Sequence, residues 1–184
     1  MNTNYRKLLD ILERIKEIED EHEDGVEDYL VEEGIRQQES GEYENSIVCY
    51  DKAIKMDPEF IWPWTEKGLT YWKSKKYEEA IACYDKANDL LKSGSHTVDF
   101  LEHVYHEIWN AKAGIFHHWG KYEEEIIYLD KLIGFHPEYP DHFSWNNKGD
   151  ALNKLGKHEE AKECYDKANK IESAFLDSKK LSNV

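Results

Sequence analysis

The residues best suited to chemistry are histidines flanked by acids. His103 and His106 stand three apart, with Glu102 and Glu107 beside them. On a helix that spacing puts two imidazoles on one face, an arrangement suited to metal ligation. The run is not His-Glu-x-x-His and no third ligand is identifiable, so surface or groove histidines are expected instead. His117 and His118 are adjacent. Adjacent side chains point about 100° apart on a helix, which keeps both from facing one ion.

Two other constellations resolve the same way. Residues 17–33 hold ten acids and no Lys or Arg. Within them Asp20-Glu21-His22-Glu23-Asp24-Gly25 resembles an EF-hand calcium loop. His22 stands where an oxygen ligand belongs, and Val31 stands where the bidentate Glu is required, so a solvated acidic turn is expected. Cys49, Cys83 and Cys164 each sit just before a tyrosine in a repeated phrase. Three cysteines at a repeat position read as packing residues, not a disulfide framework. No nucleophile motif, phosphate-binding glycine loop or Cys-x-x-Cys is present. The expectation is therefore a protein that is not an enzyme and uses no cofactor or metal.

Charge narrows the partners. The net charge is −15, from 24 basic and 39 acidic residues. Nucleic acids and anionic membranes reward basic patches, so neither is expected as a partner. No run approaches 18 apolar residues, so no membrane span is expected. Met1–Asp10 has no apolar run followed by small residues, which points away from a signal peptide and towards the cytoplasm.

The elements that position these residues come from a repeat. Lys75-Lys76-Tyr77-Glu78-Glu79-Ala80 leads into Cys83-Tyr84-Asp85-Lys86-Ala87, and three variations of this phrase occur elsewhere. Tyr43, Tyr77, Tyr122 and His158 hold the same place, with separations of 34, 45 and 36 residues. Trp64, Gly68 and Tyr71 fall at i, i+4, i+7, as do Ala80, Tyr84 and Ala87. Each trio marks one helix face, so each unit should be two short amphipathic helices. Gly68 and Ala80 should remove bulk where the helices approach. A single hairpin cannot bury its own apolar face, whereas stacked hairpins can.

With a base period of 34 and these columns, the chain resembles the tetratricopeptide repeat family. Trp145, Gly149 and Leu152 repeat the first-helix pattern, as do Trp109, Ala113 and Phe116; Leu30, Gly34 and Gln37 repeat it weakly. Pro58 and Pro137 match the closing proline, which Lys92 and Ser173 replace elsewhere. The resemblance implies an all-α fold: a right-handed superhelical stack of antiparallel helix-turn-helix repeats, an α-solenoid, with an extra N-terminal helix. The expected organisation is an N-terminal helix and acidic turn over 1–26, then four repeats at 27–60, 61–94, 106–139 and 142–175 within a domain spanning 27–175. An insertion falls near 95–105 and a tail over 176–184.

Taken in order, Tyr5–Ile18 reads as an amphipathic helix. Its stripe is Leu8, Leu12 and Ile15, widened by Leu9, Ile11 and Ile18. It would cap the first repeat or dock in a groove. Repeat helices are expected near 27–40, 43–56, 62–74, 77–91, 122–134, 142–155 and 158–172. Lys92-Ser93-Gly94-Ser95 reads as a loop, and Pro137 and Pro140 frame another. Val98, Leu101, Val104, Tyr105 and Ile108 predict that the first helix of repeat three is extended, from about 98 to 118. Residues 173–184 read as a short or frayed tail, with Phe175 and Leu176 against some apolar surface.

The resemblance further implies a concave groove lined by the first helix of each pair. Carried over column by column, repeat one supplies Val31, Ile35 and Gln38. Repeat two supplies Trp62, Thr65, Leu69, Trp72 and Lys73; repeat three supplies Asn110, Gly114, His117 and His118. Repeat four supplies Phe143, Asn146, Asp150, Asn153 and Lys154. Family members that hold acidic chaperone tails use Lys and Asn in columns where this chain has Val31, Ile35 and Glu66, so that ligand is not expected. The implied role is a non-enzymatic scaffold that takes a peptide or helix of a protein partner on aromatic anchors. The alternative is a homo-oligomer closed by the N-terminal helix or the aromatic patch; a histidine metal protein ranks behind both.

Overall fold

The computed structural model describes residues 3–22, 25–94, 97–135 and 141–182. Among them there are nine helices and no strand. The chain divides into two compact units, 1–97 and 98–184. The first holds α1 (Thr3–Glu21), α2 (Val26–Glu39), α3 (Tyr43–Met56), α4 (Trp62–Lys73) and α5 (Tyr77–Ser93). The second holds α6 (Val98–Trp119), α7 (Tyr122–Phe135), α8 (His142–Lys154) and α9 (His158–Ser182). Helices α2–α3, α4–α5, α6–α7 and α8–α9 pair as hairpins, α3 also packs on α4, and α7 packs on α8. No described helix is long and apolar enough to cross a membrane.

The hairpin turns are built alike. Gly41, Gly120 and Gly156 lie at φ 77°, 77° and 75°, the left-handed region that glycine enters without penalty. Each is followed by a residue whose amide reaches back five positions. Glu42 donates to the Gln37 carbonyl at 2.8 Å, Lys121 to Phe116 at 2.9 Å and Lys157 to Leu152 at 2.9 Å. These bonds satisfy carbonyls that a helix end leaves open. The fourth turn is the same (Lys76 to Tyr71, 2.8 Å) but uses Lys75 at φ 62°, the one positive-φ non-glycine among the described residues. The next helix then opens on acids, Glu78 and Glu79 in α5 and Glu159 and Glu160 in α9, which complement its dipole.

Packing inside each hairpin follows one rule. A Cβ built on Gly34 would fall 2.4 Å from Tyr50, one on Gly149 2.5 Å from Tyr165, and one on Gly68 3.0 Å from Tyr84. A tyrosine ring on the second helix thus lies flat against the bare backbone of the first. Repeat three breaks both columns together: Ala113 takes the glycine place and clusters with Leu129 in the tyrosine place. The larger residue on one helix is matched by the smaller on the other, which keeps the interface filled.

Three expectations are corrected. The final helix does not stop near 172 but runs to Ser182, and Phe175 and Leu176 are exposed, at 54% and 51%, not covered. Ser173 replaces the closing proline and no glycine follows Gly156, so nothing in the sequence breaks the helix. In α1 the buried stripe is Ile11, Ile15 and Ile18, while Leu12 is 47% and Leu9 39% exposed. These three isoleucines, at i, i+4, i+7, cluster with Leu30, Val31, Cys49, Tyr50 and Ala53 of α2 and α3. Three ion pairs fix that seat: Lys7–Glu42 at 2.5 Å, Lys52–Glu19 at 2.5 Å and Arg14–Glu33 at 3.7 Å. α1 therefore caps repeat one. The extended helix expected over 98–118 is α6, Val98–Trp119. The loop at Pro137 and Pro140, Ser95, and Glu23 and Asp24 of the acidic turn lie outside the described residues.

Candidate interaction surface

Of the first helices, α4, α6 and α8 each carry exposed residues at the groove columns, whereas Val31 and Gln38 of α2 are buried. In the first unit the open face is carried by α4. Trp62, in the first turn beside Pro63, is 37% exposed and meets Phe60 edge to face at 6.2 Å. Leu69 and Trp72 are half-buried and Lys73 is exposed. Lys73 Nζ donates to Gln38 Oε1, and Gln38 Nε2 donates to Thr70 Oγ1 at 2.7 Å. That polar bridge ties α2 to α4. Three expected groove positions are not presented to a partner. Thr65 is 5% exposed with its hydroxyl on the Trp62 carbonyl at 2.9 Å. Gln38 is 4% exposed and spent on the bridge, and Val31 is fully buried in the cluster beneath α1.

In the second unit, α6 and α8 carry the corresponding positions. Asn110, His117 and His118 of α6 are exposed, as are Phe143, Asp150 and Lys154 of α8; Asn146 is half-buried. Phe143 is 66% exposed, beside His142 at 4.0 Å between ring centres. It occupies the same repeat column as Trp62. Asp150 Oδ1 accepts from Tyr165 Oη at 2.7 Å, Asn153 Nδ2 donates to the same phenol at 2.9 Å, and His158 Nδ1 lies 3.0 Å from Asn153 Oδ1. His118 Nδ1 meets the Gly114 carbonyl at 2.8 Å. The tyrosine of the packing column thus extends its hydroxyl to order the polar side of α8.

Column logic alone missed one residue. Glu125 stands where the other repeats have Ser46, Ala80 and Ala161, and it is 2% exposed. His117 Nδ1 lies 3.0 and 3.1 Å from its two carboxylate oxygens. Burial pushes the Glu125 carboxyl above the usual range; the His117 contact works against that rise and the charge on Asp150 adds to it. The His117 side chain remains 45% exposed while its Nδ1 meets Glu125. The signal available in the sequence was an acid in a small-residue column.

The three thiols are free and buried, and burial pushes Cys49 up to about 12 and Cys83 up to about 11, with Cys164 raised as well. Thiols held in that range are poor nucleophiles. His103 and His106 are exposed on α6. Among the described residues no group of three or more His, Cys, Asp or Glu side chains is arranged to hold a metal.

Stacked helical hairpins that leave the first-helix face open define a repeat-built interaction scaffold. A TPR repeat model matches residues 39–75, and tetratricopeptide repeat models match 63–90, 106–139 and 142–172. The chain belongs to the tetratricopeptide repeat family. No curated protein matches it in sequence. Among solved structures, a crystal structure of MamA superposes with a TM-score of 0.67 at 16% identity, covering 96% of this chain and 98% of that one. A MamA from Desulfovibrio magneticus RS-1, spanning 41 to its end, gives 0.66 at 19% identity over 94% and 93%. The first TPR of Spaghetti (RPAP3), bound to the HSP90 peptide SRMEEVD, gives 0.57 at 20% identity over 71% and 93%. At these identities the likeness is one of fold.

Proposed function

We propose that this protein is a non-enzymatic scaffold that binds a peptide or helix of a protein partner on the open faces of its first helices. The observation that carries the reading is the pair of exposed aromatics at one repeat column, Trp62 on α4 and Phe143 on α8. Neither is needed to fill the hairpin core, and aromatic side chains at such positions are the usual anchors of a protein interface. Leu69, Trp72 and Lys73 extend the face in the first unit; Asn110, His117, His118, Asn146, Asp150 and Lys154 give the second unit a polar face that fixes orientation. The family and the peptide-bound Spaghetti domain support a protein as the kind of partner. The cytoplasm is the proposed setting, in keeping with three free buried thiols. Self-association is the second reading, favoured by the exposed Leu9 and Leu12 of α1 and Phe175 and Leu176 of α9.

The test is affinity purification from the native cell with wild type, Trp62→Ala and Phe143→Ala, each checked for an unchanged helical spectrum. A partner retained by wild type and lost by either variant supports the reading. A set of bound proteins identical for all three refutes it.

A further inference from the structure

Tryptophans in this chain take lysines. Of the six, Trp64, Trp109, Trp119 and Trp145 each hold a lysine ammonium of their own unit 3.4–5.8 Å from the ring centre. The ring quadrupole draws a cation to the indole face. Trp62 is 37% exposed on α4, and among the described residues no lysine or arginine stands over its ring. The charges beside it are negative. Asp57 and Glu59, in the turn that leads into α4, are exposed, and the Glu59 amide donates to Asp57 Oδ1 at 2.9 Å. Residues 56–66 contain no Lys or Arg. The flanking lysines are engaged elsewhere. Lys67 pairs with Asp51 and stands over Trp64, and Lys55 lies in the last turn of α3, where it complements the helix dipole.

A second acidic stretch comes to the same end of the unit. Asn45 of α3 reaches Gln37 of α2, and Tyr50 lies against Gly34, so α3 runs antiparallel to α2. Ser46 meets Thr70 and Asp51 meets Lys67, so α3 is antiparallel to α4 as well. Helices α2 and α4 therefore run in one direction, tied by Gln38 on Thr70 at 2.7 Å. Asp28 lies ten residues before Gln38 and Trp62 eight before Thr70, which puts both at the N-terminal end of the pair. Asp28 is exposed and, like Glu59, is in no ion pair among the described residues. An exposed indole without a cation thus shares one end of the unit with acids without a cation. We infer that this end of the α2–α4 face is a seat for a cationic segment of a protein partner, with an arginine or lysine over Trp62 and its charge answered by Glu59 and Asp28. The inference rests on the reading of the first-helix faces as the interaction surface and gives that surface a charge preference. An acidic peptide would meet Asp28, Asp57 and Glu59 as like charges. A second copy of this chain, at net charge −15, faces the same repulsion.

The experiment uses the full chain and two labelled peptides of equal length and equal apolar content, one with arginines and one with glutamates in the same places. Binding is read by fluorescence anisotropy at physiological ionic strength, and each variant is checked for an unchanged helical spectrum. The arginine peptide should bind wild type about tenfold more tightly than the glutamate peptide. Trp62→Leu keeps an apolar side chain but removes the indole, and should weaken the arginine peptide about fivefold. Asp28→Asn with Glu59→Gln should weaken it about as much and flatten its salt dependence. These two acids are exposed, so that variant decides the matter if Trp62→Leu fails to fold. Asp166→Asn with Glu172→Gln removes the same charge from exposed positions of α9 and should leave affinity within about twofold. No binding of the arginine peptide overturns the inference. So does equal weakening by the two charge pairs, which would mean general attraction to an acidic chain, or an arginine-peptide affinity that Trp62→Leu leaves unchanged. A glutamate peptide that binds more tightly and is lost in Trp62→Leu overturns the charge preference while leaving the aromatic face as an interaction surface.

Discussion

Substituting Gly34 by Ala tests the packing rule on which the fold rests. The new methyl would lie 2.4 Å from the Tyr50 ring, well inside contact distance, and Tyr50 is fully buried with little room to swing. Alanine in place of glycine favours a helix by about 1 kcal/mol. Overpacking of a tight core costs about 1–3 kcal/mol, and a contact this short places the substitution at the upper end. The net expectation is a loss of about 2 kcal/mol. Tyr50→Leu alone leaves a void and costs about 1–3 kcal/mol. The two together copy Ala113 opposite Leu129 in repeat three. The double variant should therefore be more stable than the sum of the singles predicts, by about 1–3 kcal/mol of coupling. Urea unfolding at matched m-values measures all four proteins. A neutral or stabilising Gly34→Ala, or a cycle additive within about 0.5 kcal/mol, would refute the reasoning.

Other predictions follow from single sites. Lys75 occupies the turn place that is glycine in the other repeats, at φ 62°; Lys75→Gly should relieve about 1 kcal/mol of strain and raise Tm by about 2–4 °C in calorimetry. Glu125 has a carboxyl raised by burial, so the folded state holds its proton to higher pH than the unfolded chain. Its contribution is most favourable below the ordinary carboxylate range and is lost as pH rises through the folded value. Glu125→Ala, the residue of two other repeats, should accordingly stabilise the protein at about pH 8, with the gain shrinking toward about pH 4 in parallel melts. The buried thiols should react with a thiol reagent near pH 8 at least about tenfold more slowly in the native protein than in urea; native labelling at the rate of a free cysteine would contradict their packing role.

The sequence made the hairpins legible because each repeat writes the same contacts again. Gly68 and Tyr84 are sixteen residues apart, as are Gly34 and Tyr50, and Gly149 and Tyr165, so one close approach explains three places. The face of α1 was harder to read. Leu8, Leu12 and Ile15 and the rival set Ile11, Ile15 and Ile18 share Ile15 and have the same helical spacing. The choice was made by the seat on α2 and α3, which no local pattern contains. The long α9 was missed because the repeat length suggested a stop where the sequence has no breaker. On the candidate surface, exposed Trp62 and Phe143 follow from their column. Thr65, Gln38 and Val31 share the groove columns but are buried, because hydrogen bonds to Trp62 and Thr70 and the cap helix take those side chains inward. Glu125 against His117 was hidden for a related reason: a repeat column predicts what is usual, and this pair is the exception.

The most direct measurement of the proposed role is site-specific photo-crosslinking in the native cell, with the reactive side chain placed at 143 on α8 or at 170 on the exposed side of α9. The account predicts a discrete protein adduct at 143 that is absent at 170. Adducts of the same protein at both positions, or at 170 alone, would contradict the claim that the first-helix face is where this protein meets its partner.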